Sequence, residues 1–172
     1  MAAEGYPLLI TAELPPDAFA WADTLRRAHY PPERNRLGAH VTLFHGLPPS
    51  AQGEVIRLLA ALGEYPPPEA RIAGLMDLGR GTAFAVDSPG MVALHAEMAL
   101  ILRGLIQQKD MRPLRLHITV QNKVSRKAAR ALQVELAEDI PTRSFQFRGL
   151  GLSQWRDELW RLVRLYSFRG QD

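Results

Sequence analysis

Residues 37–47 read LGAHVTLFHGL, and residues 114–124 read LRLHITVQNKV. Laid over each other, Leu37 falls on Leu114, His40 on His117 and Thr42 on Thr119. The apolar positions agree as well: Val41 with Ile118, Leu43 with Val120, and Leu47 with Val124. A histidine and a threonine two residues apart, set in an apolar run, therefore occur twice at a spacing of about 77 residues. Two related halves should pack about a pseudo-twofold axis, so that equivalent positions face each other across the seam.

The rest of the chain follows the same duplication. After a first strand at Tyr6 to Glu13, apolar spacing and turn residues predict a helix at 16–28, a His-Thr strand at 39–45, a helix at 50–62 and a strand pair at 71–78 and 83–87. The order then repeats. Ser88 caps a helix running to about Gln108, a second His-Thr strand covers 116–121, and Ser125 caps a helix stopped by Pro141. Two strands at 145–152 and 159–168 close the chain. This mixed order argues for an α+β fold of two pseudo-symmetric lobes, each a mainly antiparallel sheet covered by helices, with a central cleft between them. A single bilobal domain is expected over 1–172, its halves at about 6–87 and 88–168.

Side chains alternate along a strand, so His40 and Thr42 share one face, as do His117 and Thr119. Val41, Leu43, Ile118 and Val120 take the other face and anchor the strands. Pseudo-symmetric lobes would bring two imidazoles and two hydroxyls to one cleft. A histidine titrates near neutrality, so one can accept a proton while the other donates one. Threonine hydroxyls can hold a phosphate oxygen. In-line displacement at a phosphodiester needs attack on one side and departure on the other, which two facing histidines supply. Continued alternation puts Phe44 and Gln121 on the histidine face, as a candidate base platform and a cleft-lining residue. Arg115 and Lys123 flank the second motif within reach of phosphate. Trp155 is a second candidate platform. His45 falls on the face opposite His40, with a structural or edge role, and His29 and His95 sit in helices as structural residues.

The two motifs, HVT at 40–42 and HIT at 117–119, resemble the signature of the two-histidine phosphoesterases, the group that includes 2'-5' RNA ligase-like proteins and RNA 2',3'-cyclic phosphodiesterases. In element order the resemblance runs from about Tyr6 to Phe168. It implies opening of 2',3'-cyclic phosphate ends of RNA or nucleotides to 2'-phosphates without a metal or other cofactor, together with a reversible 2'-5' RNA ligase activity. It also implies His40 as general acid on the leaving 3'-oxygen, His117 as general base on water, and Thr42 and Thr119 as phosphate binders. Many relatives carry an apolar residue where this chain has His45.

Composition sets outer limits. The chain has no cysteine, which excludes disulfides, thiolate metal sites and a thiol nucleophile. A net charge of +3 is too small to name a nucleic-acid binder by itself. Eighteen of the 21 basic residues are arginine, the side chain suited to forked phosphate contacts, although an Arg-rich and Ala-rich genome gives the same bias. The N-terminal stretch lacks the basic region of a signal peptide, and no segment is long enough to span a membrane. A cytoplasmic monomer is expected. Two other functions compete: an RNA-end binding module using the same cleft without turnover, and a nucleotide hydrolase with a histidine nucleophile. The latter needs alternating histidines on one strand, and Thr119 and Gln121 stand there instead.

Overall fold

A computed structural model describes residues 5–171. Its eight strands are β1 (Leu8–Glu13), β2 (Val41–Leu47), β3 (Glu69–Asp77), β4 (Thr82–Asp87), β5 (His117–Gln121), β6 (Ser144–Gln146), β7 (Gly149–Arg156) and β8 (Leu159–Ser167). The four helices are α1 (Pro16–His29), α2 (Gln52–Leu62), α3 (Pro89–Ile101) and α4 (Arg126–Ala137). All strand pairs are antiparallel, in the order β6-β3-β4-β5-β2-β1-β7-β8. The fold is thus α+β with an antiparallel sheet. The sheets expected for the two lobes are joined edge to edge into one.

The seam lies between the two His-Thr strands. A single registered pair, Val41 opposite Ile118, joins β2 to β5. These are equivalent residues of the duplicated segment, so the pseudo-twofold axis passes through their rung. The two sequence halves do not stay on their own sides of it. β3 and β4 pair on the β5 side, while β7 and β8 pair on the β1–β2 side.

Both His-Thr strands carry a bulge at the same place. Along β1–β2, Ile10 pairs with Phe44 and Thr11 with Thr42, so Leu43 is skipped. Along β4–β5, Thr82 pairs with Gln121 and Ala83 with Thr119, so Val120 is skipped. An extra residue on one strand interrupts the alternation of faces. Both skipped residues are fully buried, and so is the residue after Leu43.

The helices form where expected, with one difference. Ser88 caps α3 by accepting from the Met91 amide, but α3 ends at Ile101 rather than near Gln108. Leu102 is its C-cap and Gly104 takes φ +87°, a left-handed conformation that stops a helix and suits glycine. Ser125 caps α4 in the same manner as Ser88. Met91, Leu94 and Met98 of α3 join Phe44, Phe84 and Ile118 in the core, with Leu58, Leu59 and Leu62 of α2. No helix among the described residues is long and apolar enough to cross a membrane.

Candidate active site at the seam

Continuing the Val41–Ile118 register by one residue each way sets His40 opposite Thr119 and Thr42 opposite His117. Opposed side chains lie about 5 Å apart at Cβ, and diagonal ones about 7 Å. The two histidines hold one diagonal of this square and the two threonines the other. Val41 and Ile118, both at 0% exposure, pin it from beneath.

The two imidazoles are held alike. His40 Nδ1 donates to the Gly38 carbonyl at 2.7 Å, and His117 Nδ1 donates to the Arg115 carbonyl at 2.7 Å. A carbonyl only accepts, so Nδ1 carries the proton in each ring and Nε2 is the working nitrogen. Nε2 of His40 accepts from the Thr42 hydroxyl at 3.0 Å. Burial pulls the His40 pKa down to about 4; the Gly38 carbonyl opposes this, while Arg26, His117 and His45 add positive charge that supports it. His40 is therefore neutral at neutral pH.

The cleft is a hollow of about 380 Å³, a size suited to small ligands. Its walls include His40, Thr42, His45, Thr119, Asn122 and Lys123, with Arg26, Arg34 and Arg36 on one side and Tyr30, Trp155 and Trp160 as aromatic surface. No carboxylate of the described residues lines it. His117 is not among the lining residues, but it lies near enough to act electrostatically on His40. Among the described residues, no group of three or more His, Asp or Glu side chains gathers as metal ligands would.

Arg26 escapes the sequence reasoning, yet it is only 5% exposed. Its Nε donates to Asn35 Oδ1 at 2.7 Å, and its Nη1 donates to the Thr119 carbonyl at 3.0 Å. The guanidinium lies over the Tyr30 ring at 4.3 Å. One side chain thus ties α1, the loop before β2 and β5 together at the cleft. Ala18, Ala22 and Arg26 form the buried stripe of α1. An arginine continuing a buried stripe of alanines at four-residue spacing was the available signal.

Phe44 is not a base platform. The Leu43 bulge turns it into the core at 0% exposure, where it stacks on His95 with ring centroids 4.4 Å apart. Gln121 is corrected for the same reason. The Val120 bulge buries it, and its Oε1 accepts from the Thr82 hydroxyl at 3.0 Å. His45 and Asn122, the next residue on each strand, come round to line the cleft instead. His45 therefore shares the His40 face and meets the Trp160 ring edge-on at 5.5 Å. Trp155 and Trp160 stand opposite each other at the β7–β8 hairpin, with ring centroids 5.3 Å apart. The hairpin closes through Asp157 and Glu158, both at positive φ as a two-residue turn requires. Lys123 lines the cleft, from a backbone at φ +63°. Arg115 supplies its carbonyl to His117, while its side chain is exposed and lies outside the cleft lining.

Known proteins share this fold. TT0787 of Thermus thermophilus superposes with a TM-score of 0.67 at 16% identity, covering 96% of this chain and 100% of that one. LigT of E. coli in its apo form superposes with a TM-score of 0.55 at 21% identity, covering 95% and 96%. LigT complexed with 3'-AMP gives 0.57 at 19% identity, covering 94% and 96%. At these identities the likeness is one of fold. No curated protein sequence matches the chain. The family model described as the 2'-5' RNA ligase superfamily matches residues 14–158, most of the chain and both His-Thr strands, and the protein belongs to that superfamily.

Proposed function

We propose that the protein opens 2',3'-cyclic phosphate termini of RNA or nucleotides to 2'-phosphates by acid-base catalysis between His40 and His117. The observation that carries this reading is the square of two histidines and two threonines about the Val41–Ile118 rung, of which His40, Thr42 and Thr119 line a cleft with Arg26, Arg34, Arg36 and Lys123 and without a carboxylate among the described residues. A phosphate is the ligand such a charge pattern favours. The likeness to LigT, crystallised with 3'-AMP, supports a nucleotide in this cleft.

In the reaction, Nε2 of His117 takes a proton from water as its oxygen attacks phosphorus. The bond from phosphorus to the 3'-oxygen breaks on the far side, and Nε2 of His40 gives that oxygen a proton. The product carries a 2'-phosphate and a 3'-hydroxyl, and the proton returns from His117 to His40 through solvent. For this His40 must be protonated. A bound phosphate anion supplies the opposite charge that the empty cleft lacks, and raises His40 from about 4. Thr42 then turns its hydroxyl from His40 Nε2 to a phosphate oxygen, with Thr119 binding another. Two proton transfers complete the chemistry, and neither calls for a metal. With a 5'-hydroxyl in place of water, the same two proton transfers join it to the cyclic end as a 2'-5' phosphodiester and free the 3'-hydroxyl.

A short RNA ending in a 2',3'-cyclic phosphate, incubated with the protein and excess EDTA, tests the proposal. Opening to the 2'-phosphate is expected, with losses of about 10²- to 10⁴-fold in His40→Ala and in His117→Ala. Retention of the RNA without opening would mark a binding module instead.

A further inference from the structure

Beyond Gly38 the cleft does not end. A second hollow of about 570 Å³ adjoins it, lined by Asp23 and Arg27 of α1, Asn35 to Gly38 of the loop before β2, and Leu159 to Leu162 of β8. Arg36, Leu37 and Trp160 line both hollows. The two hollows are therefore neighbours, with Trp160 part of the wall between them. Gly38, whose carbonyl orients the His40 ring, lines the second hollow, so that hollow opens directly beside the reacting centre.

Its chemistry is that of a nucleotide site. Arg27, Arg36 and Arg161 bring three guanidinium groups, against one carboxylate, Asp23. That carboxylate is already engaged: it accepts from the Ala39 amide at 3.0 Å and pairs with Arg27 at 3.3 Å, with its side chain 14% exposed. Arg161 is held to Asp157 by one nitrogen at 3.7 Å, a loose and exposed pair. Each guanidinium has five N–H donors, so one ion pair leaves capacity for a phosphate. Leu159 and Leu162, at 38% and 56% exposure, and the Trp160 ring add apolar surface on which a base can rest.

We propose that this hollow is a second nucleotide subsite, which takes the penultimate nucleotide of an RNA chain whose cyclic 3' end occupies the histidine cleft. The inference rests on the function proposed above and makes it more specific: the substrate is an RNA chain rather than a mononucleotide. The chain passes Trp160, and its last internucleotide phosphate lies within the reach of Arg27, Arg36 and Arg161.

The test compares uridine 2',3'-cyclic phosphate with a uridine trinucleotide ending in the same group, in the wild type, Arg27→Ala, Arg161→Ala and Arg161→Lys. The trinucleotide is expected to show a kcat/KM about 5- to 100-fold above the mononucleotide. That ratio should fall toward one in Arg27→Ala and Arg161→Ala and recover in Arg161→Lys. A binding arm uses the products, a 2'-phosphorylated trinucleotide against uridine 2'-phosphate, followed by tryptophan fluorescence across a salt series. Each upstream phosphate engaged should steepen the slope of log affinity against log salt by about 0.7, and each alanine variant should flatten it. Turnover of both substrates at a ratio near one, with equal salt slopes, would overturn the subsite and leave the histidine chemistry standing. Opening of neither substrate would overturn the chemistry, and the salt slopes would still decide whether the subsite exists.

Discussion

Leu43 and Val120 hold the same position of the duplicated segment: each follows a His-x-Thr motif by one residue, and each is passed over by the neighbouring strand. The bulge is part of the duplicated unit and so of the site. It sends Phe44 and Gln121 inward and brings His45 and Asn122 to the cleft. Without it, strict alternation would carry a phenylalanine and a glutamine beside the histidines.

Phe44 and Trp160 should accordingly fail in different ways. Phe44→Ala removes a fully buried ring stacked on His95, and a loss of about 3–5 kcal/mol of stability is expected in urea unfolding. Trp160→Ala, at a half-buried position on the hairpin, should leave the unfolding midpoint nearly unchanged. It should weaken binding of uridine 2'-phosphate by about 1–3 kcal/mol. Equal effects on nucleotide affinity would show that the bulge does not divide their roles.

His40 should titrate near pH 4 in the free protein, followed by the NMR shifts of its ring and assigned with His40→Gln. Inorganic phosphate or a nucleotide 2'-phosphate should move the titration upward, because an anion in the cleft favours the charged ring. A titration already near the ordinary value of 6.5 without ligand would contradict the burial of the ring.

The same shift bears on stability. The folded-state pKa of His40 lies below its unfolded value, so between about pH 6.5 and 4 the unfolded chain binds more protons than the folded one. The contribution is fully present above pH 6.5 and is lost as pH falls toward 4. Its size is at most about 3 kcal/mol. Relative to wild type, His40→Gln should lose less stability over that interval, as urea unfolding at a series of pH values would show.

Arg26→Gln tests the strut between α1 and β5. The substitution removes donors from Asn35 and from the Thr119 carbonyl, at an expected cost of about 1–3 kcal/mol. It also removes a positive charge that lowers His40, so the His40 titration should rise above about 4, while phosphate binds more weakly. A titration left in place would mean that burial alone sets it.

The duplicated segment made much of the fold legible. Period, caps and apolar spacing located most helices and strands to within a few residues, although α3 ends at Ile101 rather than near Gln108 and the strand expected at 145–152 is divided between β6 and β7 on opposite sides of the sheet; the faces of His40, Thr42, His117 and Thr119 followed from alternation. What alternation misses is a change in its own phase. Phe44, Gln121 and His45 were misplaced because a bulge is a property of two strands, set by the partner's register rather than by either strand's composition. Arg26, Arg36 and Trp160 were missed because they reach the cleft from α1, a loop and a distant hairpin, and only the tertiary structure brings those together. The exchange of strands across the seam was hidden for a related reason: the element order repeats whether or not β3 and β7 cross over.

That exchange has a consequence for the chain as it leaves the ribosome. β1 and β2 come early, but the strand that covers the other edge of β1 is β7, near the end. The first-made half cannot close its own sheet, and the cleft lacks Trp155 and Trp160 until the final hairpin arrives. Neither half can complete its sheet alone, and synthesis must run nearly to completion before there is a site to occupy.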